Sequence, residues 1–587
     1  NAADIGVEAG TRDDRLVLRD LAGGTGTLRV EEQGGGGAAA ALGFGPTRRV
    51  DGDHDGEIVG TSVLYIAAGT PLAALNDGLG VRHSRAGGDF DVKLGERGFS
   101  VDLGDTLKPA TRLARLNRGS GVRLGQIRLT ARDGTIAELD LSGAETVQDV
   151  KTALEGAFGG GKIGVVLSGG RLIVSDSSGT GTGPLKIEDV SGNAAADLGI
   201  AGSGASGRVE GRAVLTMDTV ADVLAAINFA AGNTDDDKRP LVEAALRDDG
   251  RGLTLRSLVP GGGALTLSVP TGGSDRVLQD LGLTAGEYGD SGAGAVVQGR
   301  RLIGGLETVL LKTLDGGAGL TGGRVRLAAN GQAADVDLSG AETLAEVVQR
   351  LRDAASAGGL GIEVGFNANG TALQLINTTG DTPIAVTDVE GDFAARTGLD
   401  RAGPVVRGLN LQRRYINENT ALSALNGGRG VSLGTLRITN SLGATATVDL
   451  TRGTLRTLQD LIDRLNETNL GVTARINATG DGLLLEDTAG GSGPLKVEDT
   501  AGTAARDLNL AKTATDGRID GTYEYRLTIA GGETLESLAT RIGTETNLAV
   551  GAVLNDGTGT APYRLSVAAR AGGARGDLLI DDGDGGL

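Results

Sequence analysis

The stretch VDGDHDGEIVGTS, from Val50, places Asp51, Asp53 and Asp55 at alternate positions with Gly56 directly after them. Hard oxygen donors in that pattern suit a calcium loop. Ser62 stands where such a loop needs a bidentate Glu, and no flanking helices are expected. A solvated turn is therefore the favoured reading and a weak Ca²⁺ site the alternative. No other cofactor is expected.

Other candidates for chemistry are sparse. GAFGGGKI, from Gly156, nearly matches a phosphate-binding loop, but Ile163 stands where Ser or Thr must reach Mg²⁺. It also follows a helical pattern and precedes a strand, the reverse of the required order, so a glycine helix stop is expected. Asp140, Asp337 and Asp449 recur in DLSGAET, DLSGAET and DLTRGT. An active site is rarely needed three times, so a turn or capping role is expected. Cysteine is absent and only His54 and His83 are present. Thiol catalysis, disulfides and thiolate metal sites are thereby excluded, and a serine-type triad or a multi-histidine zinc site is hard to build. A glycan-processing cleft needs aromatic platforms, yet 7 Phe and 6 Tyr are the only aromatic rings in 587 residues. The composition argues against an enzyme.

The totals also bound the partners. A formal charge of −19 repels phosphate backbones, so nucleic acid is not an expected partner. No run of about 18 apolar residues occurs, so no membrane span is expected. The opening NAADIGVEAGTRDD lacks a basic region followed by an apolar core, so no secretory signal is visible there. Gly is abundant at 103 residues and Pro scarce at 11, which implies many tight turns between short elements.

Those elements repeat. GPLKIEDVSGNAAADLGI, from Gly183, returns as GPLKVEDTAGTAARDLNL, from Gly493, and more loosely as TPIAVTDVEGDFAARTGL, from Thr382. Worn copies begin at Gly26 and Gly263. A helical segment recurs as TVQDVKTAL, TVADVLAAIN, TLAEVVQRL, TLQDLIDRLN and TLESLATRI. Val220, Val223, Leu224 and Ile227 fall on one helical stripe, as do Leu458, Leu461, Ile462 and Leu465. The leading Thr is an N-cap. Asp149, Asp222, Glu346 and Asp460 follow it at the capping-box position, with Ser537 in the last copy. LNDGLGV, LNRGSGV, LDGGAGL and LNGGRGV mark turns requiring positive φ. Alternating stretches form hairpins: LGQIRLTARDGTIAELDL turns at Asp133-Gly134, and GVTARINATGDGLLLEDT bends at Gly480-Asp481-Gly482.

One unit is thus a Leu-Asn turn, a hairpin, a capped helix, a second hairpin and a closing phrase whose final Leu, as in Leu198 and Leu508, is expected to plug the layer. The fold class is α+β and β-rich: a tandem array of small modules, each with antiparallel hairpins packed on one short helix. The expected segments are a module tail at 1–45, an abbreviated module at 46–110, a full one at 111–205, an abbreviated one at 206–288, full ones at 289–402 and 403–515, and a partial one at 516–587. SGRVEG and DGRIDG read as plain linkers. The sequence reads as a segment of something longer.

These features together resemble the flagellin hook IN motif of flagellar filament cap (hook-associated) proteins and some flagellins. TVADVLAAIN at 219–228 is the nearest match, TLQDLIDRLN with GVTARINATGDGLLLEDT extends it, and 425–450 is similar to the stretch preceding the motif in cap proteins. Sustained heptads, which that family uses to contact the filament, are absent, so the resemblance is to its outward-facing middle region. It implies a structural protein of the bacterial flagellum outside the cell, without a cleaved signal, that self-associates and assists assembly of flagellin or other flagellar proteins. An adhesive or surface-coating fibre, or the outer domain of a large flagellin, is the alternative.

Overall fold

The computed structural model describes residues 6–570 with 578 and 580, apart from 13, 23–26, 35, 46, 51–55, 85–86, 180, 271–275, 291, 293, 369, 414, 453–454, 526, 547 and 558, and apart from the side chains of 47–50 and 427. Small antiparallel sheets dominate, with short helices laid against them, so the fold is α+β and sheet-rich. The chain divides into two compact units, Asn1–Leu310 and Leu311–Leu587.

The module around residues 104–216 shows how the pattern becomes structure. Its first hairpin pairs Gln126–Thr130 with Ile136–Asp140. The turn closes at Gly134, whose φ of 83° is open to glycine and strained for other residues. Helix Val147–Gly156 follows, then the second hairpin, Ile163–Ser168 with Arg171–Asp176. The closing phrase supplies strand Leu185–Asp189, which pairs with the first hairpin, and short helix Ala194–Asp197. The helical stripe Val147, Val150 and Leu154 shares one core with Ile127, Leu129, Val165, Leu172 and Ile187. Leu198 is fully buried in that core, as expected of a plug. Each such side chain removed from water contributes about 1.5–3 kcal/mol.

SGRVEG and DGRIDG are not linkers. Arg208–Glu210 and Arg518–Asp520 are strands that complete the sheet of the second hairpin. Val296–Gln298 and Val405–Arg407 do the same elsewhere. A three-residue strand is too short to show alternation, which is why its sequence reads as a connection. Its signature is the glycine that follows. The N–H of Gly211 donates to Leu172 at 2.9 Å, and that of Gly521 to Leu483 at 2.8 Å. A Cβ on Gly211 would meet the Leu172 carbonyl at 2.5 Å, so the backbones approach too closely for any side chain. These seal strands also carry each module past its expected end.

The segments expected as abbreviated modules at 46–110 and 206–288 are not separate. Phe90–Leu94 pairs with Arg97–Val101 and also with Leu265–Ser268. Phe90, Val92 and Val101 share one core with Val220, Val223, Leu255 and Leu267. They are two halves of one host module, and residues 104–216 are inserted between its first hairpin and its helix Val220–Asn228. The insert's entry and exit are held together at the tip of its second hairpin: Leu107 N–H donates to Gly169 and Val214 N–H to Gly170, both at 2.8 Å. The insert docks through Gly119, where a Cβ would lie 3.2 Å from the Ala225 methyl on the host helix. Lys238 of the host and Glu145 of the insert form an ion pair between the two.

The segment expected as a tail at 1–45 runs on to Ser62, because Glu57–Ser62 is its seal strand on hairpin Val7–Arg12 and Arg15–Asp20. Val296–Gln298, with Ala295, Leu302 and Ile303, belongs to the host rather than to the module expected at 289–402.

In the second unit, one module carries hairpins Arg324–Ala329 with Gln332–Asp337 and Ile362–Phe366 with Leu373–Asn377, around helix Leu344–Ala357. The next carries Thr435–Thr439 with Thr445–Asp449 and Val472–Ile476 with Leu483–Asp487, around helix Leu458–Asn466. Val220 is 1% exposed and Leu461 fully buried, so both stripes face their cores. The last module packs helix Leu535–Glu545 on hairpin Ala549–Asn555 and Tyr563–Ala569 over a small core of Leu538, Ile542 and Ala549.

Candidate functional site

The recurring acids are the first side chains to place. Asp140 accepts the N–H of Ser142 at 2.9 Å, Asp337 that of Ser339 at 2.8 Å, and Asp449 that of Thr451 at 2.9 Å. These are turn-forming acids. Such bonds favour the ionised form: the Ser142 N–H holds Asp140 below the ordinary carboxylate range, and the Ser339 and Thr451 hydroxyls lead the same effect on Asp337 and Asp449.

The helix-start acids act on the backbone too. Asp149 accepts the N–H groups of Glu145 and Thr146 at 3.0 and 2.8 Å, and Asp460 those of Arg456 and Thr457 at 2.7 and 2.8 Å. Asp222 takes those of Asp218 and Thr219 at 3.2 and 2.9 Å. Each reaches one residue beyond the ordinary capping box.

A third set of acids was not singled out by sequence reasoning. Asp189 receives the N–H groups of Ala195 and Ala196, Asp388 those of Ala394 and Ala395, and Asp499 those of Ala505 and Arg506. Glu32 receives those of Ala38 and Ala39. The acid in the closing strand, or just after it at Glu32, therefore caps the short helix that follows, which explains the repeated phrase. The signal lay in the phrase itself, and Val269 takes that place in the worn copy.

The Leu-Asn turns are fastened to the same short helices. Asn117 Nδ2 donates to the carbonyls of Gly121 and Asp197, both at 2.9 Å. Asn76 bonds Gly80 and Asp280, and Asn426 bonds Gly430 and Asp507. All three asparagines sit at positive φ. Asp315 stands in their place in the remaining copy and pairs instead with Arg396.

GAFGGGKI follows helix Val147–Gly156 and leads into strand Ile163–Ser168. Lys162 bonds Asp133 at 2.5 Å and lies 4.9 Å from the centre of the Phe158 ring, tying the helix end to the first hairpin's tip. Asp51, Asp53 and Asp55 lie outside the described residues. Among the described residues, no group of three His, Asp or Glu side chains could hold a metal ion.

Carboxylates, buried at Asp14 and Asp89 and more open at Asp77 and Asp481, gather at junctions. Asp14, 1% exposed, pairs with Arg301 at 3.1 Å and Arg251 at 2.7 Å. Asp77 accepts the N–H groups of Gly304 and Leu310 at 2.9 and 2.7 Å. Burial pushes Asp89 up, against two N–H donors, Ser84 and Leu103. Burial also raises Asp481, but the hydroxyls of Thr479 and Thr522, the Asn477 amide and the Tyr523 N–H outweigh it and leave it low. These carboxylates bind backbone N–H groups, arginine, hydroxyls or an amide of the fold, an arrangement that fastens segments together.

No protein-family model matches this chain, and no curated protein matches it. Among solved structures, the flagellar cap protein FliD from Helicobacter pylori is similar at 15% identity, over 75% of this chain and 82% of that one, with a TM-score of 0.11. A superposition that poor carries no argument about this chain.

Proposed function

We propose that this chain is a structural protein of the bacterial flagellum, cap-like in role, acting outside the cell. Its expected partners are copies of itself and flagellin or other flagellar proteins. The observation that supports this reading is the pairing of sequence and geometry in the repeated module. The Thr-led helix ending in Ile227-Asn228, or Leu465-Asn466, is the stretch most similar to the hook IN motif. In both copies that helix joins the two hairpins of its module. The carboxylates at recurring positions serve backbone N–H groups, which suits a scaffold.

Fractionation with deletion tests it. The protein should co-purify with sheared flagella, and its deletion should shorten or abolish filaments while export of flagellin into the medium continues. Recovery from the cell surface in a strain lacking flagella, with normal filaments in the deletion strain, would transfer the protein to the class of adhesive or coating fibres.

A further inference from the structure

In each module with two hairpins, the helix lies between two sheet edges. Gln332–Asp337 and Ile362–Phe366 are edge strands on either side of helix Leu344–Ala357, and Thr445–Asp449 and Val472–Ile476 flank helix Leu458–Asn466 in the same way. An open edge exposes unpaired N–H and C=O groups that can template a strand from another chain. Here the helix side chains reach them. Asn466 donates to the Ala474 carbonyl at 3.1 Å and accepts the Ala474 N–H at 2.7 Å, the two-bond pattern a neighbouring strand would make. Asn228 does the same to Ala244, at 2.9 and 2.6 Å. Where the helix carries no Asn, other side chains occupy the position. Glu155 accepts the Val165 N–H at 3.1 Å while Lys151 donates to its carbonyl at 2.9 Å. Arg352 donates to the Val364 carbonyl at 2.9 Å.

Val165, Ala244, Val364 and Ala474 are each the third residue of the outer strand of the second hairpin. Three different side-chain solutions, in four modules, thus converge on one register position. The opposite edge is covered too: Arg350 and Arg464 each donate at 3.0 Å to the last carbonyl of the first hairpin's edge strand, Asp337 and Asp449.

We propose that these helix side chains are edge guards: they occupy the outer strand of the second hairpin and prevent a second copy of this chain from adding a strand there. Convergence is the argument. A contact needed only to hold the helix could fall anywhere along its length, and the apolar stripe already holds it. A contact needed to close an edge must fall on the outward-facing N–H and C=O. The inference does not depend on the flagellar reading, since it concerns where copies are kept from pairing.

The test uses the full chain. Asn466→Ala removes both bonds to Ala474. Val497→Ala, on an inner strand of the same module, is the control for lost stability. Association is followed by sedimentation over a concentration series, and the Ala474 amide by hydrogen exchange. Asn466→Ala should exchange faster at Ala474 when dilute, associate at about tenfold lower concentration than the natural chain, and regain protection at Ala474 as it associates. Val497→Ala should associate as the natural chain does. Faster exchange at Ala474 without any change in association overturns the proposal, as does equal association by Val497→Ala. Should Asn466→Ala not fold, Arg352→Met removes one guard bond from the other module: a smaller shift in the same direction is expected, and an unshifted curve from the folded variant overturns the proposal.

Discussion

The side chain of Asn117 donates to the main-chain carbonyl of Asp197, joining the turn that opens a module to the short helix that closes it. The bond spans 80 residues of sequence and has counterparts at Asn76 and Asn426. Asn76 is 2% exposed, with φ at 53°. Alanine there loses two hydrogen bonds at about 1 kcal/mol each and bears a left-handed backbone cost of about 1–2 kcal/mol. Asn76→Ala should destabilise the host module by about 3–4 kcal/mol, and Asn76→Gly by less, because glycine removes the backbone part. Chemical denaturation of both variants separates the two contributions.

The seal strands give a second expectation. Gly521 donates to Leu483 at 2.8 Å, and a Cβ on it would lie 2.7 Å from the Leu508 carbonyl. Gly521→Ala should force the short strand away from its hairpin at a cost of about 1–3 kcal/mol. Gly134→Ala, with open space around its Cβ, should strain only its own turn. Hydrogen exchange at Ile519 should accelerate in the first variant and stay unchanged in the second.

The helices, their capping residues and the hairpin turns were legible in the sequence because each is written within about a dozen residues. A 3.6-residue stripe buries Val220 and Leu461, and Asp133-Gly134 closes its turn as the dipeptide requires. The insertion was not legible. It is defined by Leu94 pairing with Leu265 across an intervening module, and no local pattern encodes a pairing at that range. The seal strands were missed because three residues carry no period. The closing acids carry no local mark of their role, since a carboxylate that caps a helix is indistinguishable in sequence from one on a solvated turn. The guard residues were hidden further still: Asn466 and Arg352 share a task but no side-chain chemistry.

Acid stability follows from the turn and capping carboxylates. Asp149 is held low by the N–H groups of Glu145 and Thr146, Asp140 by Ser142, and Asp449 by the Thr451 hydroxyl. A depressed folded value means that their contribution is complete above the unfolded value of about 3.9. It declines as pH falls through that value toward the folded ones. Asp89 runs the other way: burial raises it, so it favours the fold less once pH rises above the unfolded value. The lowered carboxylates outnumber it, so the melting temperature should fall between about pH 5 and pH 3. Asp149→Asn should show a shallower fall. A melting temperature flat over that interval would contradict the assignment.

The junction at Asp14 gives the largest expected single effect. Both carboxylate oxygens face Arg301, at 3.3 and 3.1 Å, and Arg251 approaches to 2.7 Å. Arg301 is itself 7% exposed and also bonds the Ile303 and Gly304 carbonyls, so it cannot follow a lost partner into water. Asp14→Ala should therefore cost about 3–5 kcal/mol, chiefly the penalty of leaving buried guanidinium charge without its carboxylate. Asp14→Asn should cost less, since the amide oxygen still accepts one bond. In Asp14→Ala with Arg301→Met the buried charge leaves with its partner, so the double variant should be more stable than the sum of the two single losses implies. Equilibrium denaturation of the four chains in the cycle measures that difference. Strict additivity would mean that Asp14 and Arg301 do not act on each other across this junction.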